Sequence, residues 1–213
     1  MNNRLLFLLT IFLIFGKSLQ AQTSEPSSDQ KFHFGFKIAP TLAWMHPLSK
    51  SVEKDGAKLG FSYGAVLEFK IQENYAFCTG LQSSYRGGAV ILKKDGFSEK
   101  ATFRLQYVEV PITLKMKTNS FDKIKYFGQF GFIPGVNIRA KADTDAEDDV
   151  DVKDDINAFM LSLLIAAGVE YTISGSTVAV ASIEFNNGFL DTFQSKDYKA
   201  GSNFLALNIG ILF

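Results

Sequence analysis

Hydrophobic and small or polar side chains alternate along most of the chain after residue 30. In the stretch KFHFGFKIAPTLAWM (31–45), large apolar residues recur at almost every second position from Phe32 to Trp44, and residues such as His33 and Lys37 stand between them. Successive side chains of a strand point to opposite faces. The pattern therefore predicts a β-strand with one apolar, aromatic face and one small or polar face.

Segments of this kind occur eight times, and short connections of three to seven residues alternate with stretches of more than ten. An even number of strands, with short turns at one end and long loops at the other, is typical of outer-membrane barrels. We therefore predict an all-β fold, an eight-stranded antiparallel up-and-down transmembrane β-barrel. The sixth segment contains the run LSLLIAAG, for which a helix is the alternative. The eight segments are Phe32–Met45, Gly60–Ile71, Tyr75–Arg86, Thr102–Lys117, Lys125–Ala140, Asn157–Ile173, Thr177–Phe189 and Asn203–Phe213.

The fourth segment changes the parity of its apolar positions. These positions are odd as far as Tyr107 and even from Val108 onward. A slip of one residue reverses the faces of a strand, so the sequence predicts a β-bulge near these two residues. Prolines inside predicted strands remove ladder donors, so each is expected at a bulge or a kink: Pro40, Pro111 and Pro134.

The apolar faces are expected to point outward into lipid. The opposite faces consist mainly of Gly, Ala and Ser with isolated charges, which suits the crowded interior of a narrow barrel. Aromatic residues fall near the strand ends and aliphatic residues between them, as in the girdles of membrane barrels. The predicted girdles contain Trp44, Phe61, Tyr63, Tyr85, Phe103 and Phe159 at the loop end, and Phe32, Phe34, Tyr75, Phe77, Tyr126, Tyr171 and Phe213 at the turn end.

Charged residues on the small, polar faces are expected to pair inside the barrel, because a buried charge needs a partner. A proton path or a gated pore is the functional alternative for such residues. The predicted lumenal charge network contains Lys37, Glu68, Arg86, Glu109, Lys115, Arg139, Glu170 and Glu184.

The N-terminus has the composition of a secretory signal peptide. Arg4 precedes an apolar run, Leu5–Phe15, that is too short to span a bilayer as a helix. We predict cleavage after Ala21, a polar tether over residues 22–30 and a barrel domain over residues 31–213. A retained membrane anchor is the alternative. Export by a cleaved signal peptide would deliver the chain to the outer membrane of a Gram-negative bacterium.

Composition excludes several function classes. With 22 basic and 22 acidic residues, the chain lacks the basic excess of a nucleic-acid binder. Its one cysteine, Cys78, cannot form an intrachain disulfide and is interpreted as a packing residue. The two histidines, His33 and His46, are expected at opposite ends of one strand, without a nucleophile and base side by side. We therefore expect no enzyme and no cofactor.

An acidic stretch follows the fifth segment. Residues 143–155 read DTDAEDDVDVKDD, and carboxylates at alternating positions could supply oxygen ligands for calcium. The EF-hand pattern is not met, and a solvated loop of repelling charges is the alternative interpretation. The candidate calcium ligands are Asp143, Asp145, Glu147 and Asp149.

Several motifs resemble the PorT-family outer-membrane β-barrels of Bacteroidetes. RLQYVEVPITLKMKT (104–118) followed by KYFGQFGFIPGVNI (125–138) is similar to that family's Tyr-hydrophobic-Glu-hydrophobic-Pro run and Gly-rich strand. The opening strand, GFSYGAVLEF and the final NIGILF also resemble it. The resemblance implies an eight-stranded outer-membrane barrel. Type IX secretion and gliding are associated with the member that gives the family its name.

These features favour a structural or accessory barrel that acts through its external loops or its partners. The alternatives are a narrow, porin-like transport channel and a soluble periplasmic ligand-binding barrel. The expected partners are outer-membrane lipid, envelope or secretion proteins, and the barrel assembly machinery. Phe213, after alternating aliphatic residues, resembles the terminal aromatic signal that this machinery reads.

Overall fold

The structure, a computed structural model, describes residues 31–94, 97–145, 147–195 and 197–213. The predicted signal peptide and tether lie outside this part of the chain and stay predictions. Within the described residues, no helix is both long and apolar enough to cross a membrane. The strands are β1 (Phe32–Pro47), β2 (Val52–Gln72), β3 (Tyr75–Lys94), β4 (Phe97–Glu109), β5 (Ile112–Lys117), β6 (Ile124–Thr144), β7 (Val150–Asp151), β8 (Phe159–Ser174), β9 (Thr177–Gly188) and β10 (Ala200–Leu212), and a 3₁₀ helix spans Lys153–Asp155.

The strands form a closed antiparallel ring. Strands β4 and β5 are two halves of one barrel strand, because both pair with β3 on one side and with β6 on the other. The two-residue β7 pairs only with β6 and lies outside the ring. Since β10 pairs with both β9 and β1, the ring closes with eight strands. The predicted eight-stranded barrel is confirmed.

The prolines interrupt ladders without shifting their register. Val110 and Pro111, between β4 and β5, lie opposite Pro134, and Val110 N donates to Pro134 O at 3.0 Å. Two prolines therefore share one interruption, and the pairings on its two sides keep the same register. Pro40 pairs with β2, whereas the ladder between β1 and β10 skips it. None of the three prolines marks a bulge, because a missing donor removes one hydrogen bond without inserting a residue. The alternative, a kink, stays a prediction.

The ladder between β4 and β6 has a bulge next to Tyr107, where one was predicted, but β4 itself contains no extra residue. Odd positions of this strand face the interior throughout, from Phe103, which is only 6% exposed, to the buried Glu109. Even positions, including Arg104 and Val110, face outward. Side-chain direction does not change along the strand. The character of each face changes instead, from apolar to polar inside and from charged to apolar outside, as the strand runs toward the turn end.

The outer surface carries the expected apolar belt. The aliphatic residues at its centre include Ile38, Leu81, Ile112 and Leu207, all exposed. Of the aromatic residues predicted to form the two girdles, Phe103 alone lies inside. Large apolar side chains that are exposed all around a closed ring are expected for a surface that contacts hydrocarbon. The predicted outward orientation of the apolar faces is therefore confirmed.

Two of the four predicted long loops are mostly strand. Only residues 48–51 separate β1 from β2, and the ladder between β3 and β4 continues as far as Lys94 and Phe97. These strands extend the barrel wall beyond the apolar belt at the loop end. A core of buried apolar residues lies inside this extension, formed by Met45, Val52, Val90, Ala101, Phe103, Leu105, Tyr107, Ala140, Ala142, Ile156, Phe193 and Ala200.

Candidate functional site in the barrel lumen

The turn-end part of the lumen holds a cluster of four charged side chains. Lys115 Nζ lies 2.7 Å from Glu68 Oε2 and 2.9 Å from Glu170 Oε1. Lys117 bonds both carboxylates as well, at 2.8 Å to Glu170 Oε2. None of these four side chains is more than 12% exposed. Each buried charge thus has two partners of opposite sign, which offsets the cost of its desolvation.

Neighbouring side chains close the space around this cluster. Lys115 Nζ lies 4.6 Å from the ring centroid of Phe127, which points inward from β6. A Cβ atom at Gly168 would come within 2.7 Å of Phe127 Cζ, so glycine is needed there for the ring to fit. Cys78 Sγ is buried 3.8 Å from Glu68 Oε2. The cysteine therefore packs against the ion cluster, in accordance with its interpretation as a packing residue.

A second cluster is centred on Glu109 near the middle of the barrel. Its carboxylate lies 2.7 Å from Arg86 Nη2 and accepts a hydrogen bond of 2.6 Å from Gln82 Nε2 and another from Ser84 Oγ. Arg86 Nη1 also donates to Ser162 Oγ across the lumen at 3.2 Å. The side chains of Arg86 and Glu109 are fully buried, so the cluster links strands on opposite sides of the ring.

The third cluster contains Lys37 and Glu184, whose Nζ and Oε2 atoms are 3.4 Å apart. Two amides complete it: Asn186 donates to Glu184 Oε1 at 2.5 Å, and Asn208 donates to Oε2 at 2.9 Å. The three clusters together contain four cations and four carboxylates, so the charges that they bring into the lumen balance.

Arg139 does not belong to this network. Gln106 pairs with Arg139 and Tyr107 with Asn137, which leaves Ile138 as an extra residue in β6. This bulge lies where the sequence predicted one, but in the neighbouring strand. Both Ile138 and Arg139 are exposed on the outer wall, because the extra residue shifts the alternation of faces. The lumenal assignment of Arg139 is therefore wrong.

Some lumenal residues were missing from the predicted network. Lys117 stands on the same face as Lys115, and period-two alternation alone could have identified it. The amides and hydroxyls that hydrogen-bond the charged side chains are themselves uncharged, so a search for charged residues did not find them. Which of them lie beside a charged group depends on strand register. They are Gln82, Ser84, Ser162, Asn186 and Asn208.

The loop end of the lumen is closed by apolar packing. The loops after β6 and β9 meet there: Ile156 and Phe193 form an isolated β-bridge, and Asn157 Nδ2 donates to Phe193 O at 2.8 Å. The Phe193 ring contacts the ring of Phe103 edge-on, at 5.1 Å between centroids. Ile156 is 1% exposed. These loops therefore cap the mouth of the barrel with side chains from its own core.

The acidic loop does not assemble its carboxylates around one point. Arg104 Nη2 lies 2.6 Å from Asp143 Oδ1 and 3.0 Å from Asp149 Oδ1, and Lys141 pairs with Asp149. Asp145 accepts from the backbone N–H of Lys100 at 3.3 Å. Among the described residues, no three His, Cys, Asp or Glu side chains are grouped closely enough to hold a metal ion. The calcium hypothesis is not supported, because two of the four candidate ligands, Asp143 and Asp149, are paired with basic side chains of the barrel wall.

The last predicted residue, Phe213, lies at the turn end beside the first strand. It exchanges two backbone hydrogen bonds with Phe34, of 2.7 and 3.2 Å, next to the junction that closes the ring. Its side chain is exposed, in line with the turn-end girdle. Its role as an assembly signal stays a prediction.

Comparisons with known proteins agree with this architecture. Neisserial surface protein A (NspA) has a solved structure with a TM-score of 0.52 and 16% sequence identity, over 86% of this chain and 96% of that one. OprG from Pseudomonas aeruginosa gives a TM-score of 0.49 and 10% identity over 86% and 96% of the two chains. Ail from Yersinia pestis gives 0.44 and 15% over 86% and 100%. The likeness to NspA, at this identity, shows a shared fold.

The family comparison is more direct. No curated protein matches the chain. The family model described as "Outer membrane protein beta-barrel domain" matches residues 20–194, most of the chain. The match agrees with the closed antiparallel ring and its apolar outer belt. The chain belongs to the outer membrane protein β-barrel domain family and is an outer-membrane β-barrel protein.

Proposed function

We propose that this protein is a closed, PorT-like barrel with a structural or accessory role, which acts through its extracellular surface and its envelope partners. The observation that carries the proposal is that the lumen is filled at two levels. Ion clusters occupy the part surrounded by lipid, and an apolar core capped by two loops occupies the extracellular part. Both levels oppose the passage of a solute along the barrel axis.

The cavity among the ion clusters is small. It has a volume of about 60 Å³ and is lined by residues of two of the three clusters, among them Lys37, Lys115 and Glu184. This volume has room for about two water molecules. Passage of an ion or a nutrient would require several buried ion pairs to separate at once, and each separation leaves a charge without its partner. A narrow channel is therefore the weaker hypothesis.

Single-channel recording in planar bilayers tests whether the barrel is closed. The unmodified protein is expected to give no steady conductance. The double variant Arg86→Ala/Glu109→Ala removes the central ion pair without leaving an unpaired charge, and it should increase any residual leak. The matched control is Lys93→Ala/Glu53→Ala, which removes an exposed pair on the extension. Large, steady openings of the unmodified protein would contradict the proposal and favour the narrow channel.

The PorT-like part of the proposal rests on the motif resemblance, in which the YVEVP run (107–111) is the most specific element. In this view the barrel belongs to a Bacteroidetes envelope and assists secretion by holding other components at the outer membrane. We infer that it performs no catalysis itself. Crosslinking in intact cells, followed by purification in detergent, should recover envelope or secretion proteins with the barrel. Recovery of the barrel alone would contradict the accessory role and leave the closed lumen unaffected.

A further inference from the structure

One groove in the barrel wall reaches from the outer surface to buried residues of the lumen, Ala43 and Arg86 among them. It forms where the ladder between β2 and β3 is interrupted: Gly56 pairs with Ala89 and Ser62 with Ser84, but the residues between them make no ladder pairs. On its other side β2 stays paired with β1 here, and Leu59 is 87% exposed. Next to the interruption lies a cavity of about 290 Å³.

The groove lies at the gap between β2 and β3 and is lined by residues from both faces of the wall. Lys58, Leu59 and Gly60 line it from β2. Its other lining residues include Tyr85 and Gly87 of β3, Arg104 and Gln106 of β4, and Arg139 and Lys141 of β6.

The charge of the groove is strongly positive. Five cationic residues line it, Lys58, Arg86, Arg104, Arg139 and Lys141, and Asp149 is the acidic residue among its lining residues. Arg86 is paired with Glu109. Arg104 and Lys141 are engaged by Asp143 and Asp149. Lys58 and Arg139, by contrast, form no ion pair with any described residue. Two positive charges at one concave site thus lack a direct salt-bridge partner, although Arg139 contributes to the lowered pKa of Asp149, and they complement an anion.

The height of the groove on the barrel indicates which anion. Tyr85 pairs with Gln106, and the next outward-facing pair below, Ser83 and Val108, already belongs to the apolar belt. Below Arg139 in β6, Ile138 and Val136 are exposed and apolar. The cations therefore lie directly above the hydrocarbon, at the level of lipid head groups, and exposed Leu59 and Tyr85 are available for the adjoining acyl chain.

We propose that this groove binds the phosphate group of a phosphorylated lipid in the outer leaflet, with Lys58 and Arg139 as the binding cations and Arg104 in a shared ion network. A guanidinium presents a fork of N–H donors that fits phosphate oxygens, and a flexible ammonium adds a second charge. The bulge at Ile138 gains a function in this view, because it places Arg139 in the groove instead of in the lumen.

The test is lipid retention by the full protein in nanodiscs that contain either diphosphorylated lipid A or the same lipid without phosphates, in a phosphatidylcholine background. The unmodified protein should enrich the phosphorylated lipid and not the dephosphorylated one. Each cation near a membrane surface is worth about fivefold in affinity. The variant Lys58→Ala/Arg139→Ala should therefore lower the enrichment roughly 25-fold. The control Lys31→Ala/Lys123→Ala removes two exposed charges from the opposite end and should leave it unchanged.

Two further measurements make the result decisive. The heat-dependent gel shift of each variant establishes that its barrel is folded. Inorganic phosphate at millimolar concentration should compete only weakly, because it lacks the acyl chain that lies against the apolar rim. Equal enrichment of the two lipids, full enrichment by the folded Lys58→Ala/Arg139→Ala variant, or complete displacement by inorganic phosphate would each overturn the proposal.

Discussion

The two halves of the strand formed by β4 and β5 have the same geometry and opposite chemistry. In the lipid-surrounded half, the inward residues include Glu109 and Lys115 and the outward residues include Ile112. In the extracellular half, the inward residues include Phe103 and the outward residues include Arg104. The lower half is polar inside and apolar outside, and the upper half has the reverse arrangement.

This difference shows that the surroundings of the wall determine its pattern. Where lipid surrounds the barrel, apolar side chains are stable outside and the interior must satisfy its charges by pairing. Where water surrounds it, the wall forms an ordinary hydrophobic core on its inner side. The change occurs between Gln106 and Val108, which places the upper boundary of the apolar belt at this level. The two halves should therefore respond differently to matched substitutions.

The largest effect is expected from breaking the turn-end ion cluster. Glu68→Ala leaves Lys115 and Lys117 buried with Glu170 as their one carboxylate partner, and loss of one partner of a buried pair costs about 3–5 kcal/mol. Urea titration of the reconstituted barrel, followed by Trp44 fluorescence and gel shift, measures the free energy of unfolding.

The matched control for this substitution lies in the extension. Glu53 pairs with Lys93 at 2.5 Å, but the two side chains are 52% and 44% exposed. Glu53→Ala should cost less than about 1 kcal/mol. Equal costs for the two substitutions would show that the lumenal cluster is solvated, and the contrast between the two halves would fail.

The next effect concerns the extracellular core. Phe103→Ala removes a buried ring that packs on Phe193, and large-to-small changes of this kind cost about 3–4 kcal/mol. The loop cap should open at the same time, which faster proteolysis within residues 152–160 would detect. Phe130→Ala, at an exposed position of the belt, is the control and should cost about half as much or less. A smaller cost at Phe103 than at Phe130 would contradict the assignment of the core.

Sequence alternation was sufficient to predict the strands that lipid surrounds, because apolar residues at every second position always face outward there. The eight segments and the orientation of their apolar faces follow from it, and so do most of the lumenal charges. The same rule failed at Tyr107, because a change of surroundings and a slip of one residue give the same sequence pattern. Only the pairing partners distinguish the two, and they show that the slip lies in β6.

The lumenal partners and the cap were harder to predict for a different reason. Arg139 was misplaced because a one-residue bulge leaves no mark in the sequence of its own strand. Ile156 and Phe193 lie in loops with other apolar residues, such as Val152 and Leu190, and scattered apolar residues are common on protein surfaces. The isoleucine directly after the run DVKDD was the local signal that this loop packs a side chain into the barrel core.

A charge introduced on the outer wall should locate the boundary of the lipid. Ile112→Arg places a guanidinium in the middle of the apolar belt, where such a residue costs about 2–4 kcal/mol. Gln106→Arg, on the same face of the same strand but above Val108, should change stability by less than about 0.5 kcal/mol. Urea titrations in one lipid compare the two. Similar costs would mean that the belt extends past Gln106, and the boundary would have to be moved upward.

The smallest effect is expected in the loop that borders the extracellular half. The hydrogen bond from Lys141 lowers the pKa of the Asp149 carboxyl, and Arg104 adds to this effect. A lowered pKa means that the interaction stabilises the loop above the ordinary carboxyl pKa and is lost as the pH falls through the lowered value. Carboxyl ¹³C NMR in nanodiscs should show Asp149 titrating below an ordinary aspartate. In Lys141→Ala the midpoint should rise, whereas Lys123→Ala, at the opposite end, should leave it unchanged. A midpoint that does not respond to Lys141→Ala would show that the loop is not held to the wall by this pair.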